Sequence, residues 1–107
     1  MGSIYAHAYA TGELSDPVPY AVEAVGQAER MIPSSIDFSV IDRVESIPDE
    51  ESFTAARTVA QHGILCGPSG GLALAASFRI ANQSRPGTRI VAILPDSAER
   101  YVSRGIR

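Results

Sequence analysis

Two short loops in this chain hold residue types suited to binding a small ligand. The first is Gly67-Pro68-Ser69-Gly70-Gly71 and the second is Pro95-Asp96-Ser97. Each follows an apolar run and precedes a helical pattern. In open α/β sheets, ligands sit outside the carboxyl ends of strands, where helix N-termini present N–H groups. A second reading stands beside this one. The glycines would permit a tight turn and close helix packing, and Asp96 and Ser97 would cap a helix.

The first loop also fits the pattern G-x-S-x-G, in which a strained turn exposes a nucleophilic serine. That chemistry needs a histidine after the acid in chain order. Both histidines, His7 and His62, lie before Ser69, so a serine hydrolase is rejected. His62 reads as a helix-end residue and His7 as a loop residue. No His, Cys and carboxylate cluster has metal-ligand spacing. The single cysteine, Cys66, reads as a small buried hydrophobe and excludes an intrachain disulfide.

The elements that would position these loops follow from periodicity. Residues 1–36 are closely punctuated by Gly2, Gly12, Pro17, Pro19, Gly26 and Pro33, and read as a loop-rich segment that packs on a larger body. Residues 37–107 carry a regular pattern. Residues 43–47 alternate apolar and polar, as a strand with one buried face does, and Pro48 ends them. Asp49, Glu50 and Glu51 open a helix in which Phe53, Ala56, Val59 and Ala60 share a face, and Gly63 stops it. The alanine-rich stretch from Gly71 to about Asn82 predicts a second helix, apolar on nearly every side. After a polar Pro-Gly loop, residues 89–94 form a continuous apolar run, expected of a parallel strand covered on both faces. The order is that of an α/β fold: a partial parallel, Rossmann-like sheet with flanking helices.

Composition narrows the function classes. The 107 residues carry a net charge of −3, with 45% hydrophobic and 20% charged residues, which fits one small globular domain. Mild acidity argues against a nucleic-acid partner. No apolar run approaches the roughly 20 residues that span a bilayer. The first thirty residues lack a basic segment followed by an apolar one, so a cytoplasmic location is expected. All nine basic residues are arginine, so no side chain of this sequence can form a Schiff base with an aldehyde cofactor.

Four stretches in order resemble a known family. Ile93-Leu-Pro-Asp-Ser-Ala-Glu-Arg-Tyr-Val-Ser103 is similar to the closing motif of cysteine synthases and cystathionine β-synthases, I-L-P-D/S-S-G-E-R-Y-L-S. Gly63-Ile-Leu-Cys-Gly-Pro-Ser-Gly-Gly-Leu-Ala73 resembles their G-I/L-L-x-G-x-S-S/A-G-A-A segment. Asp49-Glu-Glu-Ser-Phe-Thr-Ala-Ala-Arg57 resembles D-E-E-A-F-x-x-A-R, and Pro19-Tyr-Ala-Val-Glu-Ala-Val-Gly26 resembles P-Y-x-V-E-G-I-G. The resemblance covers almost the whole chain and corresponds to the C-terminal portion of these enzymes.

That resemblance implies a fold-type II enzyme dependent on pyridoxal 5'-phosphate. Such enzymes eliminate the β-substituent of serine or O-acetylserine and add sulfide or homocysteine. It also implies a small amino-acid substrate and a homodimeric parent. In the family, the serine of the closing motif hydrogen-bonds the pyridine nitrogen of the cofactor, and that position is Ser97. A neutral hydroxyl leaves this nitrogen largely unprotonated, a moderate electron sink suited to β-replacement. Gly67 and Ser69 would lie near the cofactor, and Gly26 in the loop on the substrate side. The pattern departs at Ala24, Gly70 and Ala98, which bear on the substrate rather than the fold. Without lysine, this chain by itself is expected to be inactive. The alternative is a non-catalytic truncated fragment, or a piece that docks on another subunit.

Overall fold

The computed structural model describes residues 9–12 and 32–98. They fall in two compact units, Met1–Ser46 and Ile47–Arg107.

In the first unit a 3-10 turn spans Phe38–Val40. Asp37 caps it: Oδ1 accepts from the Ser39 amide at 2.9 Å and from the Ser39 hydroxyl at 2.6 Å. These bonds favour the charged carboxylate and hold its pKa below the ordinary value, the side-chain bond contributing most. The Tyr9 ring meets Phe38 edge-on at 5.8 Å, and its hydroxyl lies 3.0 Å from the carbonyls of both Ile41 and Asp42, to which it donates. Beyond the turn, Arg43 and Glu45 form an ion pair. Residues two apart share a side only where the backbone is extended, in keeping with the alternation of residues 43–47.

The second unit is built on two helices. Helix α1 spans Asp49–Ala60, with Pro48 at its N-cap and three acidic residues in its first turn, where the macrodipole favours negative charge. Its end is a Schellman motif: the Ile64 amide donates to the Val59 carbonyl at 3.1 Å and the Gly63 amide to the Ala60 carbonyl at 3.0 Å. Gly63 sits at φ 86°, the left-handed region that glycine enters without strain. The buried stripe is Ser52, Ala55, Ala56 and Val59. Phe53 and Ala60, expected on that face, are only partly covered.

Helix α2 spans Pro68–Gln83 and so begins three residues before the expected start at Gly71. Proline is the reason. At the first helical position its missing N–H costs nothing and its fixed φ suits the helix. Only Pro68, Gly70, Gly71 and Ala75 of α2 are buried, and Phe78 is 43% exposed. The expectation of a helix buried on several faces therefore holds for its first turns alone. Past its end, Arg85 to Thr88 make a Pro-Gly turn, with Gly87 at φ 87° and the Thr88 amide on the Arg85 carbonyl at 3.1 Å.

The core is small: Ala56, Val59, Cys66 and Ala98 are buried together, with Phe53, Leu74 and Leu94 against them. No β-ladder forms among the described residues, although residues 43–47 and 89–94 were expected as strands. In the latter run Ala92 and Leu94 are partly covered, whereas Val91 and Ile93 are 80% and 75% exposed. Side chains thus alternate as they would on a strand, but only one face is packed.

Candidate functional site

The two loops singled out by the sequence meet. The Gly67 amide donates to the Asp96 carbonyl at 3.2 Å, which brings Pro95-Asp96-Ser97 against the start of α2. Gly67 is the N-cap, extended at φ −76° and ψ 179°, the region to which a following proline restricts it. Its carbonyl accepts from the Gly71 amide at 3.0 Å and so begins the helical ladder. Ser69 and Gly70 therefore lie in the first turn of α2, with their amides at its positive end, rather than in a free loop.

Glycine is needed twice in this turn. A Cβ on Gly70 would stand 2.9 Å from Cys66 Cβ and 3.3 Å from Leu94 Cδ2. A Cβ on Gly71 would fall onto the Ser52 carbonyl oxygen and stand 3.0 Å from Ala56 Cβ. The α1 backbone thus occupies the space a side chain would need. Ser52 is fully buried, and its hydroxyl donates to the Pro68 carbonyl at 2.6 Å. Ser52 is not among the residues that chemistry-bearing type alone singles out. Its signal was present, because positions 52, 55, 56 and 59 follow the i, i+3, i+4, i+7 stripe of a packed helix face.

Ser69 and Ser97 are half-buried, and no described residue engages either hydroxyl. Cys66 lies at the base, 1% exposed. Burial pushes its thiol pKa up, the charge of Asp96 adds to the rise, and its backbone hydrogen bond opposes it. Cys66 thus packs in the core as a small apolar residue. Gly26 lies outside the described residues, as does His7. His62 is exposed just past α1.

A separate groove of about 400 Å³ lies between the exposed sides of α1 and α2, floored by Ala55, Ala75 and Phe78. On its rim, Arg79 Nη2 reaches both carboxylate oxygens of Glu51 at 3.0 and 2.9 Å. Neither Ser69 nor Ser97 lines it, so the groove is distinct from the two loops.

Over 91 residues, 84% of its length, this chain is 40% identical to cystathionine beta-synthase of Mus musculus, of which it covers 16%. Over 97 residues it is 39% identical to cysteine synthase of Haemophilus influenzae, covering 89% of this chain and 30% of that protein. Among solved structures, a point variant of O-ureido-L-serine synthase with O-ureido-L-serine bound superposes with a TM-score of 0.77 at 31% identity. That match covers 94% of this chain and 30% of the other. The chain thus spans less than a third of the length of these relatives.

The residues present fit pyridoxal phosphate at one end. Ser97 offers a half-buried hydroxyl beside the turn that begins α2, able to donate to or accept from a ring nitrogen. The sequence supplies no lysine amine for the aldehyde end. The family model described as pyridoxal-phosphate dependent enzyme matches residues 2–96, and the chain belongs to that family.

Proposed function

We propose that this chain supplies the ring-nitrogen side of the cofactor site in a β-replacement enzyme of the cysteine synthase and cystathionine β-synthase type. The observation that carries the reading is the bond from the Gly67 amide to the Asp96 carbonyl, which sets Ser97 beside the first turn of α2. Bound there, pyridoxal phosphate would supply the electron sink for loss of the β-substituent. Ser97 would hold the ring nitrogen through a neutral hydrogen bond and fix the tilt of the ring. The Gly67–Ser69 turn would close one wall, and Gly26 would face the substrate. Serine or O-acetylserine, with sulfide or homocysteine, is the substrate class we infer from the relatives.

We infer further that residues 43–47 and 89–94 serve as strands of a parallel sheet. The alternating exposure from Val91 to Leu94 and the pairing of Arg43 with Glu45 support this. On its own the chain is inactive in this reading, because a side-chain amine for the cofactor aldehyde is missing.

The test is a chimera in which residues 1–107 replace the matching stretch of the Haemophilus influenzae cysteine synthase. It should retain the cofactor and form cysteine from O-acetylserine and sulfide. Ser97→Ala in that chimera should lower turnover about tenfold, the scale of one hydrogen bond at a reacting cofactor. A chimera that carries the cofactor but turns over equally with and without the Ser97 hydroxyl would refute the assignment. The isolated chain mixed with pyridoxal phosphate should not develop the visible absorption of a lysine-linked cofactor.

A further inference from the structure

We propose that Ser52 is a positioning residue for the Gly67–Ser69 turn, acting through the Pro68 carbonyl. This rests on reading that turn as a wall of the cofactor site.

Ser52 is 0% exposed, in a stripe otherwise made of alanine and valine. A hydroxyl in such a place is costly unless it is bonded. Its bond, at 2.6 Å, goes to the carbonyl of the first residue of α2. A helical carbonyl ordinarily accepts from the amide four residues on, here Leu72. The Ser52 hydroxyl therefore takes a second lone pair, adding a tie between helices to one within a helix.

A second contact at the same residue points the same way. The Ser52 carbonyl lies where a Cβ on Gly71 would stand, so the α1 backbone and the first turn of α2 approach as closely as glycine permits. The close approach sets the distance between the helices, and the hydroxyl bond sets the rotation of α2 about it. The constraint passes onward in single-residue steps. Pro68 follows Gly67, the Gly67 amide holds the Asp96 carbonyl, and Asp96 precedes Ser97. Ser52 thereby acts at a distance on the orientation of Ser97, touching neither cofactor nor substrate.

The experiment needs no cofactor and uses the full chain, isotope-labelled, as Ser52→Ala and Ser52→Thr variants. In Ser52→Ala the Pro68 carbonyl carbon resonance should shift as its second hydrogen bond is lost. Amide exchange at Gly67 and Gly71 should quicken about three- to tenfold, the scale of one hydrogen bond. Exchange at Arg57 to Ala60, in the last turn of α1, should change less. Ser52→Thr, which keeps a hydroxyl, should restore protection at Gly67. An unmoved Pro68 resonance in Ser52→Ala would overturn the proposal, as would equal quickening throughout α1 and α2, the mark of a merely structural role. Should the extra methyl of Ser52→Thr overpack the site, the Ser52→Ala readouts alone decide. Failure here leaves the Ser97 chimera test standing, and failure of the chimera leaves the helix tie standing.

Discussion

The Gly67 amide and the Asp96 carbonyl, 29 residues apart in the chain, are joined by a 3.2 Å hydrogen bond across the buried Cys66 end of the core. It ties the two loops directly through the backbone. Gly67→Pro suits the observed φ of −76° but deletes the donor and puts a ring where the bond ran. We expect it to cost about 1–3 kcal/mol, the scale of a lost hydrogen bond whose acceptor keeps its place without that donor. Urea unfolding of the variant checks this.

The two neighbouring glycines should rank differently. Gly71→Ala drives a methyl into the Ser52 backbone, which cannot swing aside, and should cost about 1–3 kcal/mol or more by overpacking. Gly70→Ala meets first the side chains of Cys66 and Leu94, which can shift more readily than backbone, and should cost less. Denaturation midpoints in the reverse order would contradict the close helix approach.

Gly63→Ala isolates a backbone effect. Nothing lies within 4 Å of its would-be Cβ, so the cost comes from the φ of 86° alone. That is about 1–2 kcal/mol for a side chain in the left-handed region. Gly63→Asn should recover part of it, since asparagine tolerates that region. Thermal midpoints of the pair provide the measurement.

Cys66 gives a pH dependence with a definite sign. Burial raises its folded pKa above the ordinary 9.0. Below 9.0 both states keep the proton and the thiol leaves stability unchanged. As pH rises through that value the unfolded chain loses the proton first, so stability falls until the folded pKa is passed. Unfolding free energies measured upward from about pH 8.5 should decline more steeply for the native chain than for Cys66→Ala. Parallel curves would show that the thiol is not desolvated.

The Glu51–Arg79 pair should contribute little despite its short distances. Nη2 of Arg79 meets both oxygens of Glu51 on the rim of an open groove, where water competes for the same groups. The side chains are 47% and 35% exposed. A double-mutant cycle should return about 0.2–1 kcal/mol, shrinking as salt is added.

What could be read from the residues beforehand divides along physical lines. The acidic opening of α1 and its glycine stop were legible because caps and charge act locally. The early start of α2 was not, since Gly67 to Gly71 look like a turn until Pro68 is recognised as a first helical residue. The burial of Ser52 was legible from its place on the 52, 55, 56 and 59 stripe, but its acceptor was not, because Pro68 lies 16 residues away. The two loops were picked out by type, but their meeting depends on a long-range backbone bond that no local pattern encodes. The proposed strands have the right alternation, yet pairing needs neighbours that periodicity cannot name.

The half-packed run from Ile90 to Leu94 carries a practical consequence. Five uncharged residues, three of them β-branched, with Val91 and Ile93 open to solvent, make a sticky strip that can template cross-β stacking between copies. Arg89 and Pro95 bracket the run as gatekeepers: a charge at one end and a residue without a ladder donor at the other. Handled at high concentration, this chain should therefore be limited by self-association before it is limited by unfolding. Removing either bracket should lower the concentration at which precipitation begins.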